Sequence, residues 1–385
     1  MMRYRPRILM LSGPVEPPWT RGDKNLVRGI ASHLDRYRAR VLTHEGVVGI
    51  DSRYDQEPAW GPQGGGHTPL SRRLGLFSHL IQTGDAVLVH LLWPPDMVVA
   101  NVVRAACRVR ALPVIHTLVR APQTTLGLRH AVAGDTVVCL TDATLARVRR
   151  EGITDAICIP PGVAVGEPVA HTELAAIRRR YGIPQGPPLV TYAGDYRHSF
   201  AARTVAATVP RIVREVDAHF VFACRIRDDR DLAEESRIRA AIAADGLADR
   251  VTFINEVKSL RDLFAISAVQ VFPADSHQEK IDMPLVLLEG MAEGLATVVA
   301  RKPPLSELVD AGAALGVPAC HPVALAVAVV ELLREEPRRL ELAQRARALA
   351  LERFEVRRVA AAYEALYDRV LGRTDRAVPL VAPAG

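Results

Sequence analysis

Aromatic residues make up only 5% of this sequence, and its five cysteines include no C-x-x-C pair. A surface that stacks nucleic-acid bases needs aromatics interleaved with clustered basic residues. Here the basic residues are dispersed, so no nucleic-acid partner is expected. Cys107, Cys139, Cys158, Cys224 and Cys320 are scattered and mostly lie in apolar, strand-like runs. A small buried thiol needs no partner there, which fits a reduced, cytoplasmic protein rather than a disulfide framework. Long apolar runs are missing too. The longest apolar region, Ala311 to Leu333, is broken by Pro318, His321, Pro322 and Glu331, so it does not read as a membrane span. At the N-terminus, MMRYRPRILMLSGP has an apolar run far too short for a signal peptide.

With 385 residues, of which 49% are hydrophobic and 24% charged, the chain is too long for one core and reads as two globular domains. A net charge of +6 suits a phosphate-bearing ligand or an anionic membrane surface without choosing between them. A peripheral, charge-assisted contact with the inner leaflet of the membrane is therefore left open.

The stretch from Gln270 to Ala300 organises the rest. It reads as the end of a buried strand (Val269 to Phe272), a polar loop (Asp275 to Met283), a helix from near Pro284 to before Gly294, and a second strand (Thr297 to Ala300). Proline is favourable at a helix start, and the unpaired N–H groups of a first turn form an anion seat. Glu289 falls within the helix near Leu287, Leu288 and Met291. It is either a carboxylate kept for a ligand or an ordinary solvated helix residue.

Strands at Arg7 to Ser12, Ala39 to Leu42, Ala86 to Leu92 and Val114 to His116 alternate with helices, as do Phe220 to Cys224 and Val251 to Ile254 further on. That alternation predicts parallel sheets with helices on both faces, binding ligands beyond the carboxyl ends of the strands. His116 is expected at such an end, and Tyr54 to Pro69, with its Gly64-Gly65-Gly66 run, reads as an irregular loop. Thr141 reads as a helix cap. Asp229-Arg230-Asp231 reads as an acidic helix start rather than a metal site, and no metal is expected.

Glu289-Gly290-Met291-Ala292-Glu293-Gly294 resembles the donor-binding segment of the retaining GT-B glycosyltransferases of family 4, in which the second Glu of E-x7-E opens a Glu-Ala-Met-Ala-x-Gly run. The loop before the first long helix resembles the family's PP-x-x-G-G, with Arg21-Gly22 in place of the glycine pair. VIHTLVR resembles its strand ending in a sugar-facing His, and ITDAICIPPGVAV its approach to the domain linker. Departures occur at the first Glu, where Ile281 stands beside Asp282 with Glu279 two places early. The Gly-Arg and Lys that neutralise the donor diphosphate are replaced by Asp195 and Phe200.

The resemblance implies an α/β GT-B fold of two Rossmann-like, doubly wound domains facing a cleft. The expected layout is an acceptor domain at 1–165, a linker at 166–186, a donor domain at 187–355, a helix crossing back to the first domain at 356–372, and a disordered tail at 373–385. It implies a hexosyltransferase-type, metal-independent enzyme that moves a sugar with retention from a nucleotide-sugar to an acceptor hydroxyl, without a cofactor. The acceptor, whether saccharide, lipid-linked or a small molecule, is not legible. His116, Arg197 and Arg225 are the expected catalytic residues. Gly22, Gly194, Arg227, Asp282, Met283, Pro284, Leu285 and Glu289 are the expected donor contacts, with Asp282 or Glu279 taking the sugar. The alternatives are a catalytically impaired GT-B scaffold partner, favoured by the missing cations, and a nucleotide-sugar epimerase of the same architecture.

Overall fold

The computed structural model describes residues 5–47, 49–62, 70–123, 127–275 and 281–373. The chain divides into two compact units, one formed by residues up to Gly162 together with 281–283 and Arg353 onward, the other by Val163 to 275 and Pro284 to Glu352.

The first unit alternates β1 (Arg7–Leu11), α1 (Gly22–Ala31), β2 (Arg38–Glu45), β3 (Asp55–Pro62), α2 (Leu70–Thr83), β4 (Leu88–Trp93), α3 (Met97–Arg110) and β5 (Val114–Leu118). It continues with α4 (Leu128–Ala131), β6 (Thr136–Cys139), α5 (Asp142–Arg150) and β7 (Ala156–Cys158). The seven strands lie in the order β3-β2-β1-β4-β5-β6-β7, all parallel. Strands covered on both faces need unbroken apolar runs, which RILML and LVHLLW supply. Residues 55–62, expected as part of an irregular loop, form β3 instead. Asp55 accepts from Arg7 Nε at 3.0 Å and Arg38 Nε at 2.6 Å, and Trp60 packs edge-on to Phe77. Gly64, Gly65 and Gly66 lie outside the described residues.

The second unit contains α6 (His171–Arg180), β8 (Leu189–Gly194), α7 (Ala201–Val213), β9 (His219–Cys224), α8 (Asp229–Ala244), β10 (Val251–Ile254), α9 (Leu260–Ala265) and β11 (Val269–Phe272). After these come α10 (Leu285–Ala292), β12 (Ala296–Ala300), α11 (Ser306–Asp310), β13 (Leu315–Val317), α12 (Pro322–Arg334) and α13 (Glu336–Leu349). Its strands are ordered β10-β9-β8-β11-β12-β13, again parallel. The stretch expected as a linker packs into this unit. Arg178 of α6 donates to the carbonyls of Pro187 (3.1 Å) and Ile266 (3.4 Å), and the Tyr181 hydroxyl donates to the Ser259 carbonyl (3.3 Å).

The last helix, α14 (Val356–Val370), belongs to the first unit. Its Tyr363 and Tyr367 are fully buried; Tyr367 Oη lies 2.8 Å from His90 Nδ1 of β4, and Tyr363 Oη 3.2 Å from Thr117 Oγ1 of β5. Glu364 accepts the backbone N–H of Arg36 at 2.6 Å. Among the described residues, no helix is long and apolar enough to cross a membrane.

Candidate functional site

In the second sheet the winding reverses between β8 and β11, so the crevice beyond their carboxyl ends is the topological switch point, where open α/β sheets bind ligands. Asp275, just past β11, ties this edge together. Its carboxylate accepts the Phe200 N–H at 3.0 Å, and its carbonyl accepts from Lys302 Nζ, just past β12, at 2.7 Å. Lys302 is the cation here that sequence reasoning missed; its place two residues past the buried run ATVVA was the available signal.

Helix α10 begins one residue after the position expected. Pro284 is its cap, in an extended conformation, and no side chain caps the first turn, so the positive end of the helix is left for another group. Leu285 and Met283 are buried apolar residues, leaving only backbone groups to address a polar ligand. In the second turn stands Glu289, half-buried, with no hydrogen-bond or ion-pair partner among the described residues. Burial pushes its carboxyl up to about 7. An ionisable group held half-buried without an internal partner destabilises the fold, and such groups concentrate where ligands bind.

The residue after Glu289 is glycine for a packing reason. The buried Gln270 carboxamide donates to the Leu287 carbonyl (3.0 Å) and to Thr297 Oγ1 (2.8 Å), and a Cβ at position 290 would collide with it. Gly290→Ala should therefore lower stability by about 1–3 kcal/mol through overpacking. Pairing it with Gln270→Ala should recover part of the loss, as denaturant unfolding of the single and double variants would show.

The arginines expected to replace the missing cations are largely committed elsewhere. Arg197 donates from Nε to Asp231 (2.7 Å) and from Nη2 to Asp228 (2.7 Å), while Arg227 donates from Nε to Asp231 (2.8 Å) and also meets the His198 ring. Burial opposes ionisation of Asp231, but the hydrogen bonds from Arg227 and Arg197 outweigh it and hold the carboxyl at about 2. Arg197 and Arg227 are thus pinned to the start of α8, not that of α10. Asp228 caps α8 by accepting the N–H groups of Arg230 (3.0 Å) and Asp231 (2.9 Å), so the D-x-D run is a helix start. Arg225 directly follows β9 and is half-buried.

At the family's arginine position, Asp195 closes the turn after β8: its carboxylate accepts the His198 N–H (2.8 Å) and its carbonyl the Tyr192 hydroxyl (2.9 Å). Gly194 makes room for that Tyr192 ring, which a Cβ would overlap.

Three expected site residues of the first unit are also structural. His116 is not at the end of its strand, because β5 continues to Leu118; the ring is buried, Nε2 donates to the Trp93 carbonyl (3.1 Å) and Nδ1 accepts the Ala133 N–H (3.2 Å). Burial pulls its pKa down to about 4, and both nitrogens are taken, so none remains for a sugar hydroxyl. Asp282 is buried, accepts from Thr141 Oγ1 (2.8 Å) and donates its own N–H to the Val119 carbonyl (3.1 Å). Its carboxyl is raised by burial, and it anchors the segment 281–283 rather than facing a sugar. Gly22 opens α1 against Ile281, whose Cγ2 would stand 2.9 Å from a Cβ there. Glu279, the other candidate for the sugar contact, lies outside the described residues.

The first unit has a pocket of about 230 Å³ at its own switch point, between the carboxyl ends of β1 and β4. Gly13, Trp93 and the side chains of Arg21, Lys24 and Arg120 line it.

Residues 187–335 match the family model described as Glycosyl transferases group 1. A curated relative, N-acetyl-alpha-D-glucosaminyl L-malate synthase of Bacillus anthracis, is 25% identical over 202 residues; the match spans 52% of this chain and 50% of that protein, so the chain spans half the length of the curated relative it matches. Among solved structures, Anabaena HepE in complex with UDP and glucose superposes with a TM-score of 0.75 at 16% identity, covering 94% of this chain and 99% of that one. Sucrose-phosphate synthase from Thermosynechococcus elongatus gives 0.77 at 18% identity, covering 96% and 100%. A glycosyltransferase from Rickettsia africae gives 0.78 at 13% identity, also covering 96% and 100%. The fold is GT-B.

Proposed function

We propose, from the match of residues 187–335 to the Glycosyl transferases group 1 model, that the chain is a retaining glycosyltransferase whose second unit holds a nucleotide-sugar donor. The observation that carries this is Glu289, a half-buried carboxylate whose side chain has no partner among the described residues, on the helix that opens beside the switch point. In this reading Glu289 accepts hydrogen bonds from the donor ribose. The first-turn N–H groups of α10 receive the diphosphate, and Lys302 adds positive charge at the same edge. Preorganised dipoles and cations of this kind stabilise a leaving diphosphate without a metal. That HepE has been crystallised with UDP-glucose supports a nucleotide-sugar as the donor class.

A thermal-shift screen of UDP, GDP, ADP and dTDP, with their sugars, tests the proposal. A ligand at a hundred times its Kd stabilises the folded state by about 2.7 kcal/mol, so one nucleoside diphosphate should raise Tm clearly above the rest. If none moves Tm, the chain does not hold a donor.

The pinning of Arg197 and Arg227 on Asp231 favours a second reading, a GT-B scaffold that has lost catalysis. It predicts binding of the nucleoside diphosphate with no hydrolysis of, or transfer from, the corresponding nucleotide-sugar.

A further inference from the structure

We propose that the pocket on the first unit takes a small acceptor bearing an acidic group, a carboxylate or a phosphate, and that Arg120 is the residue that reads it. This deepens the transferase reading and rests on it for the word acceptor.

Three cationic side chains and one carboxylate line the pocket: Arg21, Lys24, Arg120 and Asp23. The carboxylate is already matched, since Asp23 accepts from Arg21 Nε at 3.0 Å, and Lys24 Nζ lies 3.3 Å from the Glu16 carbonyl. Glu16 itself is buried and turned to His44, accepting its backbone N–H at 2.9 Å and its Nδ1 at 2.7 Å. Arg120 meets Asp23 only through its charge, without a hydrogen bond to it. It stands two residues past β5, is half-buried, and makes no hydrogen bond or ion pair among the described residues. A partly desolvated guanidinium with five donors and no acceptor is arranged for bidentate contact with a carboxylate or phosphate. Trp93, Val27 and Val119 supply apolar wall on the other sides, where the carbon skeleton of the acceptor would lie. At about 230 Å³ the pocket is below the ~300–1,000 Å³ of sites for drug-sized ligands. It therefore fits a small acid, or the acidic end of a larger molecule. The donor's own diphosphate has a separate seat at α10 on the second unit.

The test is calorimetric titration of the full chain with D-glycerate and glucose 6-phosphate, and with their neutral counterparts glycerol and glucose, in the presence and absence of saturating UDP. At least one acid should bind ten or more times tighter than its neutral counterpart, and which acid wins tells carboxylate from phosphate. Arg120→Gln should remove that preference, Arg120→Lys should restore part of it, and UDP affinity should stay the same in both. Equal binding of acids and neutral compounds, or no binding of any, would overturn the inference while leaving donor binding intact. An Arg120→Gln variant that loses UDP and keeps its preference for acids would also overturn it, by assigning the pocket to the donor. Should the parent bind no nucleoside diphosphate, the transferase reading falls, and acid selectivity with its loss in Arg120→Gln still decides whether this is an acid-binding pocket.

Discussion

Glu289→Gln should make the ligand-free protein more stable above pH 7 and at the same time weaken its nucleoside diphosphate binding by about 1–3 kcal/mol. The two effects share one cause. The carboxyl sits at about 7 in the folded chain against an ordinary 4.5, because burial disfavours its charge and no protein group offsets it. Between those two pH values the folded state keeps a proton that the unfolded state has released. Native stability therefore falls as pH rises from 4.5 towards 7, and above 7 the whole cost is present, on the order of 3 kcal/mol by linkage. The carboxamide has no charge to desolvate, so the variant should lose this slope. It also loses the charge that strengthens a hydrogen bond to the ribose. Melting curves at pH 5 and pH 8 and a nucleotide titration would check both halves. A variant that binds as tightly as the parent would remove Glu289 from the donor site, whatever happens to its melting temperature.

Asp231→Ala should be among the most destabilising single substitutions in the second unit, costing about 3–5 kcal/mol. The carboxylate is fully buried and answers both Arg197 and Arg227, so removing it leaves two guanidinium groups beside an emptied, desolvated position. Its folded-state value of about 2 lies below the ordinary 3.8. The contribution is thus complete above pH 3.8 and is lost as pH falls through 2, opposite in sign to that of Glu289. Acid unfolding should shift upward in pH in the variant, and urea unfolding at pH 7 should show the full loss. An unchanged urea midpoint would mean that the two arginines find other partners, including a bound diphosphate if one is present.

The fold was largely legible because parallel strands buried on both faces leave an unmistakable mark: VTFI, VQVF and ATVVA are short apolar runs, each bounded by turn residues. Thr141 caps α5 as read from the sequence, its hydroxyl accepting the Thr144 N–H at 3.2 Å. Strand β3 was missed because DQEPAWGP contains two prolines and two acids, and its edge position, which tolerates them, is set by β2 rather than by its own sequence. The site was less legible for a similar reason. Whether His116, Asp282 or Arg197 faces a ligand or a neighbour depends on groups far away in the chain, namely Trp93, Thr141 and Asp231. A motif can say that a position follows a strand, yet only the packing says which of its atoms are already used. Glu289 and Arg120 differ from these in that neither side chain makes a hydrogen bond or ion pair among the described residues, and no pattern of spacing reveals that.

The return of α14 to the first unit has a consequence for how the protein is made. During synthesis the strands of the first sheet emerge first, yet the face of β4 and β5 carrying His90 and Thr117 is completed by Tyr363 and Tyr367, more than 240 residues later. The second sheet, by contrast, is contained between Leu189 and Val317 and can close while the final helix is still inside the ribosome. Until α14 has emerged, that face of the first sheet lacks the two tyrosines that cover it, and a chaperone would have to hold it over that length of chain.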